Sequence, residues 1–204
     1  IPSGIDENIF DPSNYIRKDH RRHFHFYDDE IVIGILAVLR QFKRHDLFLK
    51  AAKSLIKKYP DKKLIFAIAG DGPQKENITN LIYSLNLTSR VKMIGHVNHA
   101  PNFLSAIDIL VLSSDSKEGV PQSIMQGLLM NKPVVASNCG STSDLFYDNN
   151  FQLVGKDSVD NLVNGVSYYI DNNIKISSRQ FIMTTFSSSV MANKIMAIYN
   201  KIVN

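Results

Sequence analysis

Five short runs that are apolar almost from end to end, separated by helix-length stretches, leave this chain of 204 residues few ways to fold. The runs are Ile31–Ala37, Lys63–Ala69, Val91–Ile94, Ile109–Leu112 and Val134–Ala136. They do not alternate with polar residues, which predicts strands buried on both faces of a sheet. Between the first two, Leu47, Phe48, Ala51, Ala52, Leu55, Ile56 and Tyr59 recur at helical spacing and predict one amphipathic helix. Further helices are predicted up to about Asn86, near Asn102–Ile107, after Pro121 and, briefly, through Asp144-Leu145-Phe146. A sixth, edge strand is expected at Phe151–Val154, then helices over Ser158–Ile170, Ser177–Thr185 and Val190–Val203. Strands alternating with helices predict an α/β fold with a doubly wound parallel sheet and right-handed crossovers. Residues 1–30 are expected to be a linker and irregular lead-in, 31–185 a Rossmann-like domain, and 186–204 a C-terminal helix. The opening Ile1-Pro2-Ser3-Gly4-Ile5-Asp6 has no initiator Met and reads as a strand-exit turn, so a piece of a longer protein is expected.

In a sheet of this kind a ligand binds at the carboxyl ends of the strands, where the strand order reverses. Four loops leave that edge: Val38–Arg44, Gly70–Pro73, Gly95–Val97 and Ser113–Pro121. Arg40, Lys43 and Arg44 put cations at the first exit, which suits a diphosphate. Gly70 and Gly72 permit a tight turn or a close approach of backbone to ligand. Pro121 suits the first position of a helix, whose open amides and dipole attract an anion. Glu118 before that helix and Gln126 within it lie about two turns apart, and both can reach a ligand held over its start. These features define a crevice and leave its ligand open.

Composition narrows the partners. A hydrophobic fraction of 44% with 21% charged residues is that of an ordinary globule with a proper core. The formal charge of +4 suits an anionic small ligand or an acidic surface. No basic patch interleaved with aromatics is present, so nucleic acid is not expected as a partner. Cys139 is the single cysteine, which rules out an internal disulfide and points to a reducing compartment. No apolar run approaches the roughly 18 residues of a membrane span. His20, His23 and His25 lack acidic or cysteine partners at zinc-site spacing, and no D-x-D occurs, so no metal is expected.

The stretch Glu118-Gly119-Val120-Pro121, its helix and Pro133-Val134-Val135-Ala136 form the pattern E-G-x-P…P-V-V-A. This resembles the donor-sugar segment of the retaining GT-B glycosyltransferases of family 4, where two glutamates spaced E-x7-E touch the nucleotide sugar. Glu118 matches the first, and Gln126 departs from the second. Ala37 to Lys43 is similar to the family's (A/G)-R-L-x-P-x-K-G, with Lys43 matching the lysine and Val38 standing where the arginine would. Gly70-Asp71-Gly72-Pro73 looks like the G-D-G-P turn, and Gly95-His96-Val97 like the loop that borders the base. Ile1 to Pro12 resembles the segment joining the two GT-B halves, and Phe186-Ser187 with Tyr199 the family's ending.

The resemblance implies transfer of a hexose-type unit from a nucleoside diphosphate sugar to an acceptor hydroxyl with retention, in glycan or polysaccharide biosynthesis. Lys43 and Glu118 would carry the chemistry. Arg40, Gly72, His96, Gly119, Val120, Pro121, Gln122, Ser123 and Gln126 would bind the donor. No cofactor or metal is implied. The glycan or lipid-linked acceptor would be held by a missing N-terminal half, so this chain alone is expected to bind donor and transfer little. The setting implied is the cytoplasm, including peripheral association with the inner membrane face. Two alternatives share these residues: a GT-B sugar-nucleotide epimerase, and a non-catalytic domain with a relic pocket, which the Gln126 and Val38 departures would mark.

Overall fold

The computed structural model describes residues 1–116, 118–172, 174, 176 and 178–203. In chain order the elements are α1 (Arg17–His23), β1 (Ile31–Leu36), α2 (His45–Lys58), β2 (Leu64–Ala69), α3 (Lys75–Ser84), β3 (Val91–Gly95) and α4 (Ala100–Ala106). There follow β4 (Ile109–Leu112), α5 (Gln122–Leu129), β5 (Val134–Ser137), β6 (Gln152–Val154), α6 (Val159–Asp171), α7 (Arg179–Phe186) and α8 (Ser188–Val203). Every strand pair is parallel, and the strand order is β3-β2-β1-β4-β5-β6. This is the doubly wound α/β sheet expected from the apolar runs.

The strands are apolar on both faces because each face has its own core. Val32, Ile65 and Leu110 pack with Phe103, Met125 and Leu128 on one side. Ile33, Ile35, Phe66 and Val111 pack with Leu47, Phe48, Leu55 and Leu162 on the other. Leu128 and Ile33 are fully buried, and each such side chain contributes on the order of 2 kcal/mol of burial free energy.

Several boundaries differ from expectation. The segment expected to be irregular carries a 3-10 turn at Pro12–Asn14 and the helix α1. That helix is anchored by a charge rather than by an apolar stripe. Arg21 is 2% exposed. It donates to the carbonyls of Ala106, Tyr27 and Glu30 and, at 2.6 Å, to Asp108 Oδ2. Asp108 also takes Arg17, at 2.6 Å, and the N–H of Val32. Lys132 completes the cluster by donating to the carbonyls of Ser105 and Ile107, and burial pushes its pKa down to about 8. Cations around the last carbonyls of α4 oppose the negative end of its dipole.

Elsewhere α4 starts at Ala100, since Pro101 is tolerated in a first turn. The brief helix before Phe146 is a 3-10 turn, Thr142–Leu145. The expected start of the next helix, Ser177, lies outside the described residues, and α7 runs from Arg179. Arg179 donates to the carbonyls of Phe10, Glu7 and Leu129, tying the first residues of the chain to the end of α5.

Candidate active site

β1 and β4 are neighbours at the centre of the sheet, but the chain leaves β1 towards β2 and leaves β4 towards β5. Their exit loops therefore part and open a crevice at the carboxyl edge. The β1 loop turns through a 3-10 helix at Gln41–Lys43 and enters α2 through Arg44, whose φ is 51°. The β4 loop holds it from the other side. Ser113 Oγ donates to the carbonyls of Lys43 and Arg44, and the N–H of Asp115 donates to that of Phe42.

These bonds aim two side chains at each other. Lys43 Nζ stands 2.5 Å from Glu118 Oε1, and Ser114 Oγ donates to the same oxygen at 2.5 Å. Lys43 keeps 14% of its side chain exposed and Glu118 7%. A charge-assisted pair this sheltered is stronger than a surface pair, and its opening edge faces the crevice. Arg44 beside it is spent on structure. Its guanidinium engages Asp46, Asp115 and Asp157, and the hydrogen bonds with Asp46 lead in holding it above the ordinary arginine pKa.

Next to the pair begins α5. Pro121 has ψ of 116°, so it precedes the helix instead of opening it, and Gln122 is the first helical residue. The Pro121 carbonyl accepts from the N–H groups of Ile124 and Met125. Among the described residues the N–H groups of Gln122 and Ser123 have no acceptor, as befits a helix start. No acidic residue occupies that turn. Open amides and the positive end of the dipole thus face the same space as Lys43 Nζ.

That space is a cavity of about 450 Å³ lined by Lys43, His96, Glu118, Pro121, Gln122, Ser123 and Gln126, with Val38, Gly70, Asp71 and Val97 around them. The other expected residues lie apart from it. Arg40 is exposed and borders a neighbouring depression of about 640 Å³ with Gln41, Arg44, Asp46 and Asn77. Although that depression is larger, Arg44 at its rim is already matched by carboxylates, whereas the smaller one joins a lysine to an open helix start. Gly72 presses on the first loop: a Cβ there would stand 2.8 Å from the Leu39 carbonyl oxygen. Gly119 is exposed, with no heavy atom of the described residues beyond its chain neighbours within 4 Å of where its Cβ would be, and Val120 packs against the core.

Three positions act on the site without having been singled out. Ser113 and Ser114 set the Lys43 loop and the Glu118 carboxylate, and their only signal was a place directly after a buried strand. Gly140 is the third. Its φ is 54°, and a Cβ there would lie 1.9 Å from the Glu118 carbonyl oxygen. The N–H of Ser141 donates to that same oxygen. The exit of β5 is therefore the floor beneath Glu118. One more buried group flanks the site. His45 opens α2 at 3% exposure, and among the described residues neither ring nitrogen has a hydrogen-bond partner. Burial, followed by the Lys43 charge, pushes its pKa down to about 4.

The sheet order and the crevice at its carboxyl edge are those of a doubly wound, Rossmann-like α/β domain. The sequence profile of the glycosyl transferases group 1 (Glycos_transf_1) matches residues 16–185, and the chain belongs to that family. It is 28% identical over 204 residues to the O-antigen biosynthesis glycosyltransferase WclY of Escherichia coli, covering 99% of this chain and 55% of that protein. A glycosyltransferase from Rickettsia africae superposes with a TM-score of 0.91 at 22% identity, covering all of this chain and 57% of the other. Anabaena Alr3699/HepE, solved in complex with UDP, superposes at 0.85 and 19% identity, covering 97% of this chain and 56% of its own. The chain thus spans about half the length of the proteins it matches.

Proposed function

We propose that this chain is the donor-binding part of a retaining glycosyltransferase of family 4, taking a sugar from a nucleoside diphosphate sugar in glycan or polysaccharide biosynthesis. The observation that carries this is the single cavity holding Lys43, Glu118 and the first amides of α5. The donor diphosphate lies between Lys43 Nζ and the N–H groups of Gln122 and Ser123, with three charge-assisted or dipolar contacts within reach. Its arrival draws Lys43 partly away from Glu118 Oε1 and frees that carboxylate to accept from sugar hydroxyls. Gln126 meets the ribose and His96 the base. As charge develops on the leaving diphosphate, Lys43 and the amides stabilise it without reorganising, and the departing oxygen takes the acceptor proton. Gly119 and Val120, next to Glu118 and outside the cavity lining, address the donor through their backbone amides, while Arg40 and Gly72 stand apart from the cavity and contribute least.

The acceptor is a glycan or lipid-linked glycan, held by residues that the longer relatives carry beyond the span matched here. O-antigen synthesis, named for WclY, is the kind of pathway this suits. Among the described residues no helix is long and apolar enough to cross a membrane. Calorimetric titration of the chain with UDP-, GDP- and ADP-sugars tests the reading: one of the three binds with unit stoichiometry, and Lys43→Ala weakens it at least about tenfold. Silence from all three at millimolar concentration refutes it.

A further inference from the structure

Five of the chain's six histidines gather at one place. His23, His25, His96 and His99 line a single cavity of about 470 Å³ between the exit of α1, the edge strand β3 and the start of α4. His20 adjoins it: its pKa is pushed down first by burial, with the charges of His23 and His99 also lowering it. Tyr15 sits between, its ring centroid 5.9 Å from that of His20 and 5.7 Å from that of His99. Asn98 and Asn102 add amides to the lining, and Asn102 Oδ1 lies 3.2 Å from His99 Nδ1. The cavity touches the donor cavity through His96 and Val97, which belong to both.

A metal is not what this cluster is built for, since no group of three His, Cys, Asp or Glu among the described residues could hold one. The alternative is decided by charge. Lys18, Arg22 and Asp28 line the adjoining depression that shares His25, and Lys92 Nζ donates to the His25 carbonyl. Asp19 acts on His20, and Asp71 lies within the field of His96. Lys75 in turn pairs with Asp71 at 3.3 Å, so four fixed cations face three carboxylates, and the imidazoles decide how far this near balance tips towards positive. Imidazole becomes a double N–H donor and a cation as pH falls through the range of about 8 to 5. Donors of this kind, with two amides beside them, match the acceptor-only oxygens of a phosphate group. The volume far exceeds that of a single inorganic anion and accommodates a diester with its flanking carbons.

We propose that this cavity binds a phosphodiester anion next to the donor cavity, and that it does so when its histidines are protonated. A phosphodiester keeps one charge across the whole range, so any pH dependence belongs to the protein. The inference stands on the histidine cavity alone and holds whether or not the donor reading does.

The test uses the 204-residue chain and two probes of the same chemistry: soluble glycerol-phosphate oligomers, and vesicles of equal parts phosphatidylglycerol and phosphatidylcholine. At about pH 5.5 at least one probe binds, and its affinity falls tenfold or more by about pH 8. Whichever arm binds identifies the source of the diester as a soluble polymer or a lipid headgroup. The exposed pair His23→Gln and His99→Gln together remove both the affinity and its pH dependence while leaving the melting temperature in place. Lys43→Ala, in the donor cavity, leaves phosphodiester binding intact. Absence of binding by both probes at low pH overturns the proposal. So does binding indifferent to pH or to the double substitution, and so does binding lost equally with Lys43→Ala, which would move the ligand to the donor cavity.

Discussion

Replacing Gly140 by alanine should damage the donor cavity from beneath, without replacing any residue that faces the ligand. At φ of 54° an alanine bears a left-handed backbone cost of about 1–2 kcal/mol. Its methyl would begin 1.9 Å from the Glu118 carbonyl oxygen, and real contacts of this kind do not fall below 3.0 Å, so the loop has to move by more than 1 Å. That movement breaks the bond from Ser141 N–H to Glu118, for about another 1 kcal/mol. A loss of about 2–3 kcal/mol corresponds to a melting temperature lower by about 4–12 °C in a domain of this size. Because the Glu118 backbone shifts, its carboxylate leaves the position that Ser114 and Lys43 define, and affinity for the nucleotide sugar drops about tenfold or more. Gly119→Ala is the control: among the described residues nothing beyond its chain neighbours lies within 4 Å of the new Cβ, its amide is kept, and stability should stay within about 0.5 kcal/mol. Thermal unfolding and donor titration on both variants decide it. A Gly140→Ala protein that melts and binds like the parent refutes the account of how Glu118 is held.

Four further expectations follow from single residues. His45 has a folded pKa depressed to about 4 from 6.5, so it favours the folded state when neutral; that contribution is whole above pH 6.5 and is lost as pH falls through 4. The depression equals about 3 kcal/mol, and His45→Leu should flatten the fall in stability over that window in urea titrations at stepped pH, whereas an unchanged acid limb would count against it. Arg21→Leu leaves Asp108 and a set of buried carbonyls short of a partner and should lower stability by about 3–5 kcal/mol; a loss below 1 kcal/mol would show that α1 is not anchored by this guanidinium. Val38, 41% exposed on the cavity wall, and Gln126 within it are open to the family's charged residues. Val38→Arg should tighten nucleotide-sugar binding about tenfold, the worth of one charge-assisted hydrogen bond, and Gln126→Glu should add preference for ribose over deoxyribose in competition titrations; no change from either would mean the donor lies elsewhere.

The sheet was legible because its signal is one-dimensional. A run such as Ile31–Leu36 or Leu64–Ala69, apolar on both faces, has few places to go other than the middle of a parallel sheet. The alternation then forces Lys43 and Glu118 to the same edge, although 75 residues separate them. What stayed hidden depends on contacts without a period. The sequence around Arg21 reads as solvated because a helix normally shows its anchoring through apolar residues, and here one guanidinium does that work at 2% exposure. Arg40 and Lys43 look equivalent as cations in one loop. With Leu39 turned fully inward, Arg40 is directed to the neighbouring depression, a choice made by the turn and not by charge. Gly140 supports a loop 22 positions before it, and only the positive φ and the near contact identify that task.

The most direct measurement is a crystal structure of the chain grown with the nucleotide sugar that binds best in titration. The expected density puts the diphosphate between Lys43 Nζ and the amides of Gln122 and Ser123, with the sugar against Glu118. Density in the depression beside Arg40, or on any face away from the carboxyl edge of β1 and β4, would contradict the account.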